Sequence, residues 1–140
     1  MPCIGSGFVA SVSTMPMPTL ILMALAALVH IGFFVMESVL WRRPSVHRIF
    51  GVADTEKAEV LAFALVNQGF YNLFLAAGAI AGVVYSSDIV TRTRDELLVF
   101  TALFMIGAAL VLYISDRRLV RGALIQGAPP LLALLAALVF

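Results

Sequence analysis

Cysteine is almost missing from this chain. The single Cys3 excludes an intramolecular disulfide and any cysteine-built zinc or iron–sulfur centre. Charge is scarce as well, at 12% of residues, and the first Lys or Arg is Arg42. No positively charged stretch therefore precedes the first apolar run, and no cleavable signal is expected. No basic face with interleaved aromatics exists, which removes nucleic acid as a partner. The two histidines, His30 in an apolar run and His47 in a basic loop, do not make a metal or haem ligand set, so no metal and no cofactor are expected. Sustained period-two alternation is also lacking, which argues against barrel strands.

What the chain has in excess is apolar residues. They make up 62% of the 140 residues, with a mean hydropathy of +1.06. A soluble domain of that composition has too little polar surface to cover itself. The expectation is an all-α, polytopic membrane protein: four transmembrane helices in an antiparallel bundle, its main partner the lipid bilayer. A helix needs about 20 residues to cross a hydrocarbon core of about 30 Å. The expected spans are residues 19–41, 58–85, 97–114 and 119–140. They make one transmembrane domain over 15–140, while 1–14 reads as a disordered extension with Met15 and Met17 as candidate starts.

Nearly all the charge sits in the connections. Arg42, Arg43, Arg48 and Lys57 flank the first, and Arg117, Arg118 and Arg121 the third, seven in all. The second, read as 86–96, holds Asp88, Asp95 and Glu96 but, of Lys and Arg, only Arg92 and Arg94. The positive-inside rule then puts both termini outside the cytoplasm. Trp41 and Tyr113 would fall in the inner aromatic belt and Tyr85 in the outer one. Gly78 and Gly82 form a small-xxx-small pair, read chiefly as packing within the monomer and otherwise as a dimer face.

Polar side chains inside the spans need explaining, because each costs about 2–3 kcal/mol or more near the bilayer centre. These are His30 and Glu37 on the first span, the cluster Asn67, Gln68, Tyr71 and Asn72 on the second, and Gln126 on the fourth. From the rise per residue, His30 lies about 16 Å and Glu37 about 6 Å from the Trp41 end. Gln68 lies about 15 Å from Ala58, so His30 and Gln68 come level, and His30 is expected within hydrogen-bonding reach of Asn67, Gln68 or Tyr71. The seven are read as the lining of one polar cavity. Each also has a structural reading: His30 as a bond between helices, Glu37 as a partner of Arg42. His47 is expected to be solvent-exposed. Pro129 and Pro130 free the carbonyls of Ile125 and Gln126 and bend one continuous helix.

At these residues the chain resembles a known group. The strings His30-Ile-Gly-Phe-Phe-Val-Met-Glu37-Ser-Val-Leu-Trp41, Phe50-Gly51, Asn67-Gln-Gly-Phe-Tyr-Asn72-Leu-Phe-Leu-Ala-Ala-Gly78 and Gln126-Gly127 are similar to bacterial membrane proteins catalogued as domain of unknown function 1304. Ser38 stands where an apolar residue is expected after the glutamate. The resemblance implies a four-helix protein of the bacterial inner membrane and supplies no mechanism. Three functions stay open: binding or transport of a small amphipathic molecule in a polar intramembrane cavity; a membrane enzyme with His30 or Glu37 as general acid–base on a lipid-like substrate; and an accessory subunit of a membrane complex, while a homodimer or larger membrane complex is the protein partner expected.

Overall fold

The computed structural model describes residues 15–85 and 91–140. The expected extension 1–14 lies outside them, as does Asp88. The described residues form helices and no strand: α1 (Met17–Phe34), a π turn (Val35–Val39), α2 (Pro44–Ile49), α3 (Thr55–Val84), α4 (Thr91–Ser115), a 3-10 turn (Arg117–Leu119) and α5 (Val120–Val139). Four stretches are long and apolar enough to cross a membrane: Met17–Val39, Thr55–Val84, Thr93–Ser115 and Arg117–Val139. Large apolar side chains such as Leu28, Phe63, Phe100 and Leu138 stand exposed on all four, the exterior expected of a protein dissolved in lipid.

Local chemistry sets the ends. Pro18 lies in the first turn of α1, where a missing N–H costs nothing. The Asp54 carboxylate accepts from the Glu56 N–H at 2.9 Å and starts α3; Asp116 accepts from the Arg118 N–H in the same way. Gly51, at φ 73°, closes α2. Its N–H reaches the Arg48 carbonyl and the Val52 N–H reaches that of His47, the paired bonds of a Schellman motif. α5 runs unbroken through Pro129 and Pro130.

Small residues set the helix contacts. Each long helix packs against two others: α1 against α3 and α5, and α4 against α3 and α5. Gly69 of α3 lies so close to the π turn that an added Cβ would strike the Ser38 Oγ. A Cβ on Gly82 would meet Leu98 of α4 at 2.6 Å, and one on Gly127 of α5 would meet Ala109 at 2.6 Å. A Cβ on Gly78 would lie 3.2 Å from the Thr101 hydroxyl of α4, so the glycine pair on α3 serves packing within the monomer. Between these seams lies a core built largely of alanine: Ala26, Ala27, Ala76, Ala79, Ala102 and Ala133, with Met23, Leu98 and Met105.

Two expectations are corrected. His47 is buried, not solvent-exposed. α2 folds back so that its ring lies 4.8 Å from Trp41, whose Nε1 donates to the Ala58 carbonyl at 2.9 Å. Phe50 closes the same cluster 5.6 Å from Trp41. The periodicity of six residues was too short to reveal a helix in that loop. Arg94 is likewise not a loop residue. α4 starts at Thr91 and buries Arg94, whose Nε donates to the Asp95 carboxylate at 3.0 Å.

Candidate functional site

The most distinctive backbone feature is the π turn at Val35–Val39, where the Leu40 N–H bonds the Val35 carbonyl at 2.8 Å, five residues back. One extra residue in the turn shifts the direction of the side chains that follow, and such turns recur at functional positions. Here Glu37 is directed into the protein and left only 5% exposed. The Asn72 amide on α3 donates to its Oε2 at 2.8 Å. The next residue, Ser38, donates its hydroxyl to the Val66 carbonyl at 2.9 Å. Gly69, lying between Val66 and Asn72, gives the backbones room for both bonds. Glu37 is thus held by an amide on α3 and makes no ion pair with Arg42 among the described residues.

His30 lies seven residues earlier and is fully buried. Its Nδ1 is 2.9 Å from the Ala26 carbonyl, so Nδ1 carries the proton and donates. That leaves Nε2 as a buried acceptor with no partner among the described residues. Two helical turns separate His30 from Glu37, about 10 Å along the axis, so the two form neighbouring polar positions and not a contact. Gln126, on α5 beside Gly127, is buried as well.

The structure does not bring the seven expected residues together. His30, Glu37, Asn72 and Gln126 are buried, whereas Asn67 and Gln68 are exposed and Tyr71 is 55% exposed. The hydrogen bond expected from His30 to Asn67, Gln68 or Tyr71 is not formed. Helix geometry gives the reason. Six consecutive residues sweep the whole circumference at about 100° each, so the string cannot share a face. Gly69 and Asn72, three apart, turn toward α1, while Asn67 and Tyr71, four apart, point away from it. The depths differ too. Phe34 already meets Phe70, with ring centres 5.3 Å apart, so His30, one turn earlier on α1, lies beyond the level of Gln68.

Sequence reasoning missed one feature altogether. A groove of about 310 Å³ opens beside the π turn, lined by Ser38, Val39, Trp41, Arg42, Ala62, Phe63 and Val66. Its walls are mostly apolar, with the Ser38 hydroxyl and the Arg42 guanidinium as polar points. Arg42 is exposed and has no ion-pair partner among the described residues. The available signal was a serine directly after an intramembrane glutamate, with an arginine one turn on.

Comparison with known proteins adds family membership. The sequence profile of a family described as protein of unknown function (DUF1304) matches residues 24–138. No curated protein and no solved structure matches the chain.

Proposed function

The chain belongs to the DUF1304 family, which lends it no activity, and we propose from its own geometry that it binds a small amphipathic molecule beside the π turn of its first membrane helix. The observation that carries this reading is the groove. It has an apolar wall for a hydrocarbon portion and, at Ser38 and Arg42, polar groups for a head, and it adjoins the residue that carries the buried carboxyl. Apolar pockets with a few convergent polar groups are the usual form of small-molecule sites. Glu37, hydrogen-bonded to Asn72, immediately precedes the groove residue Ser38 in the π turn. Carriage of the same molecule across the bilayer is the extension of this reading.

The proposed setting is an antiparallel four-helix bundle in a bacterial inner membrane, with both termini outside. Support comes from the pairing order: Trp41 with Ala58, Ser38 with Val66 and Glu37 with Asn72 advance along α3 as they retreat from Trp41 into the π turn toward α1. The Lys/Arg bias supplies the orientation. The groove then opens at the cytoplasmic edge.

Native mass spectrometry from nanodiscs tests the binding. The wild type is expected to retain a small amphipathic adduct that Val39→Trp, which fills the groove, loses. Glu37→Gln is expected to keep the groove but weaken retention. Equal adducts in wild type and Val39→Trp would overturn the reading.

A further inference from the structure

Asn67, Gln68 and Tyr71 stand on the outside of the bundle. α3 has 30 residues, and these three lie about 20 Å from either end of it, so they sit near the bilayer centre whichever way the chain is inserted. Hydrocarbon offers an exposed carboxamide no partner, and at this depth its short side chain cannot reach the interface. Asn67 and Tyr71 also share a stripe with Val60, Ala64 and Phe74, all exposed, at spacings of three, four and seven residues. Gln68 flanks it. Ala64, one turn from Asn67, lets another backbone come close.

We infer that this stripe is the contact face for a second copy of the chain, forming a two-fold dimer through α3. Symmetry and hydrogen-bonding chemistry together select that occupant. Two copies inserted in the same orientation are related by a two-fold axis along the membrane normal, so equivalent residues meet at equal depth. Asn67 therefore meets Asn67. A carboxamide carries both donors and an acceptor, so it complements its own image, as buried asparagines do across parallel helix pairs. Gln68 and the Tyr71 hydroxyl can satisfy each other across the same axis. An acidic or basic stripe would repel its own copy; this one is uncharged along its length from Val60 to Phe74. The inference stands apart from the occupancy of the groove, which is lined by Phe63 and Val66 rather than by the stripe.

Disulfide trapping and dilution in bilayers test it. In a Cys3→Ser background, Ala64→Cys is expected to cross-link to itself under mild oxidation, and Leu132→Cys, exposed on α5, is not. Single-molecule photobleaching should show dimers that dissociate as lipid is added. The double variant Asn67→Leu, Gln68→Leu should need at least ten-fold less dilution to dissociate, and Asn67→Gln, which keeps the carboxamide, should stay near wild type. These side chains point away from the monomer core, so the variants keep the fold, checked by elution volume and helix content. Monomers at every dilution, cross-linking through Leu132→Cys instead, or undiminished dimerisation of the double variant would each overturn the proposal. So would a different membrane protein co-purifying in place of the second copy.

Discussion

Glu37 and Asn72 illustrate how one residue's cost depends on its partner. Truncating Asn72 to Leu leaves the buried carboxyl without its donor, and an unsatisfied buried polar group costs about 1–3 kcal/mol. Removing both partners is gentler, because no orphan remains. Asn72→Leu is therefore expected to destabilise more than the double variant Glu37→Leu, Asn72→Leu, measured by steric trapping in bicelles. Equal losses would mean that the bond contributes nothing specific. Gly69 carries a second prediction at this scale. Gly69→Ala drives a Cβ into Ser38 and should cost about 1–3 kcal/mol, in the range of overpacked cores. Ser38→Ala removes the struck hydroxyl and should recover part of that loss when the two are combined. Recovery stays partial because the same Cβ would lie 3.2 Å from the Ser38 backbone nitrogen.

Among the elements, the seam between α3 and α4 depends on the glycine buried within it, whereas the exposed glycine of α4 outside that seam is dispensable. Gly82 is buried against Leu98, so Gly82→Leu should part the helices and lower stability by more than about 1 kcal/mol, with relief from Leu98→Ala. Gly107 on α4 has nothing within 4 Å of its Cβ position, and Gly107→Leu should change stability by less than about 0.5 kcal/mol. Thermal melts in detergent distinguish the two. This contrast also shows what the sequence could and could not reveal. Hydropathy made the long helices legible, because a lipid solvent forces a plain compositional signal. The spacing of Gly78 and Gly82 marked a packing face, but only the fold says that α4 occupies it. The polar string 67–72 was legible as a set of costly residues. Its division between inside and outside was not, because that depends on where α1 and α4 lie around α3. The π turn was invisible for a related reason: its extra residue follows from the bonding of Ser38 and Glu37 to α3, long-range contacts that no local pattern encodes.

For the whole molecule, the governing asymmetry is electrostatic. Seven Lys and Arg residues lie in or beside the connections that join α1 to α3 and α4 to α5, and two lie near the start of α4. Of those two, Arg94 is already drawn into the fold beside Asp95, with its Nη2 2.9 Å from the carboxylate oxygen. The orienting bias from the other side is therefore carried by exposed charge: Arg42, Arg43, Arg48 and Lys57 in the first connection, Arg117, Arg118 and Arg121 around the third. Loops this short are the ones the rule governs. A periplasmic alkaline phosphatase fused after Phe140 should be active, and green fluorescent protein at the same point dark. Fusions after Asp116 should show the reverse pair of signals, because the same Lys/Arg bias predicts that turn on the cytoplasmic side. The opposite pattern at both points would invert the molecule. It would move Arg42 and the groove to the outer leaflet while leaving Asn67 and Tyr71 near the bilayer centre, so the dimer face would survive a result that reassigns the side from which the groove is filled.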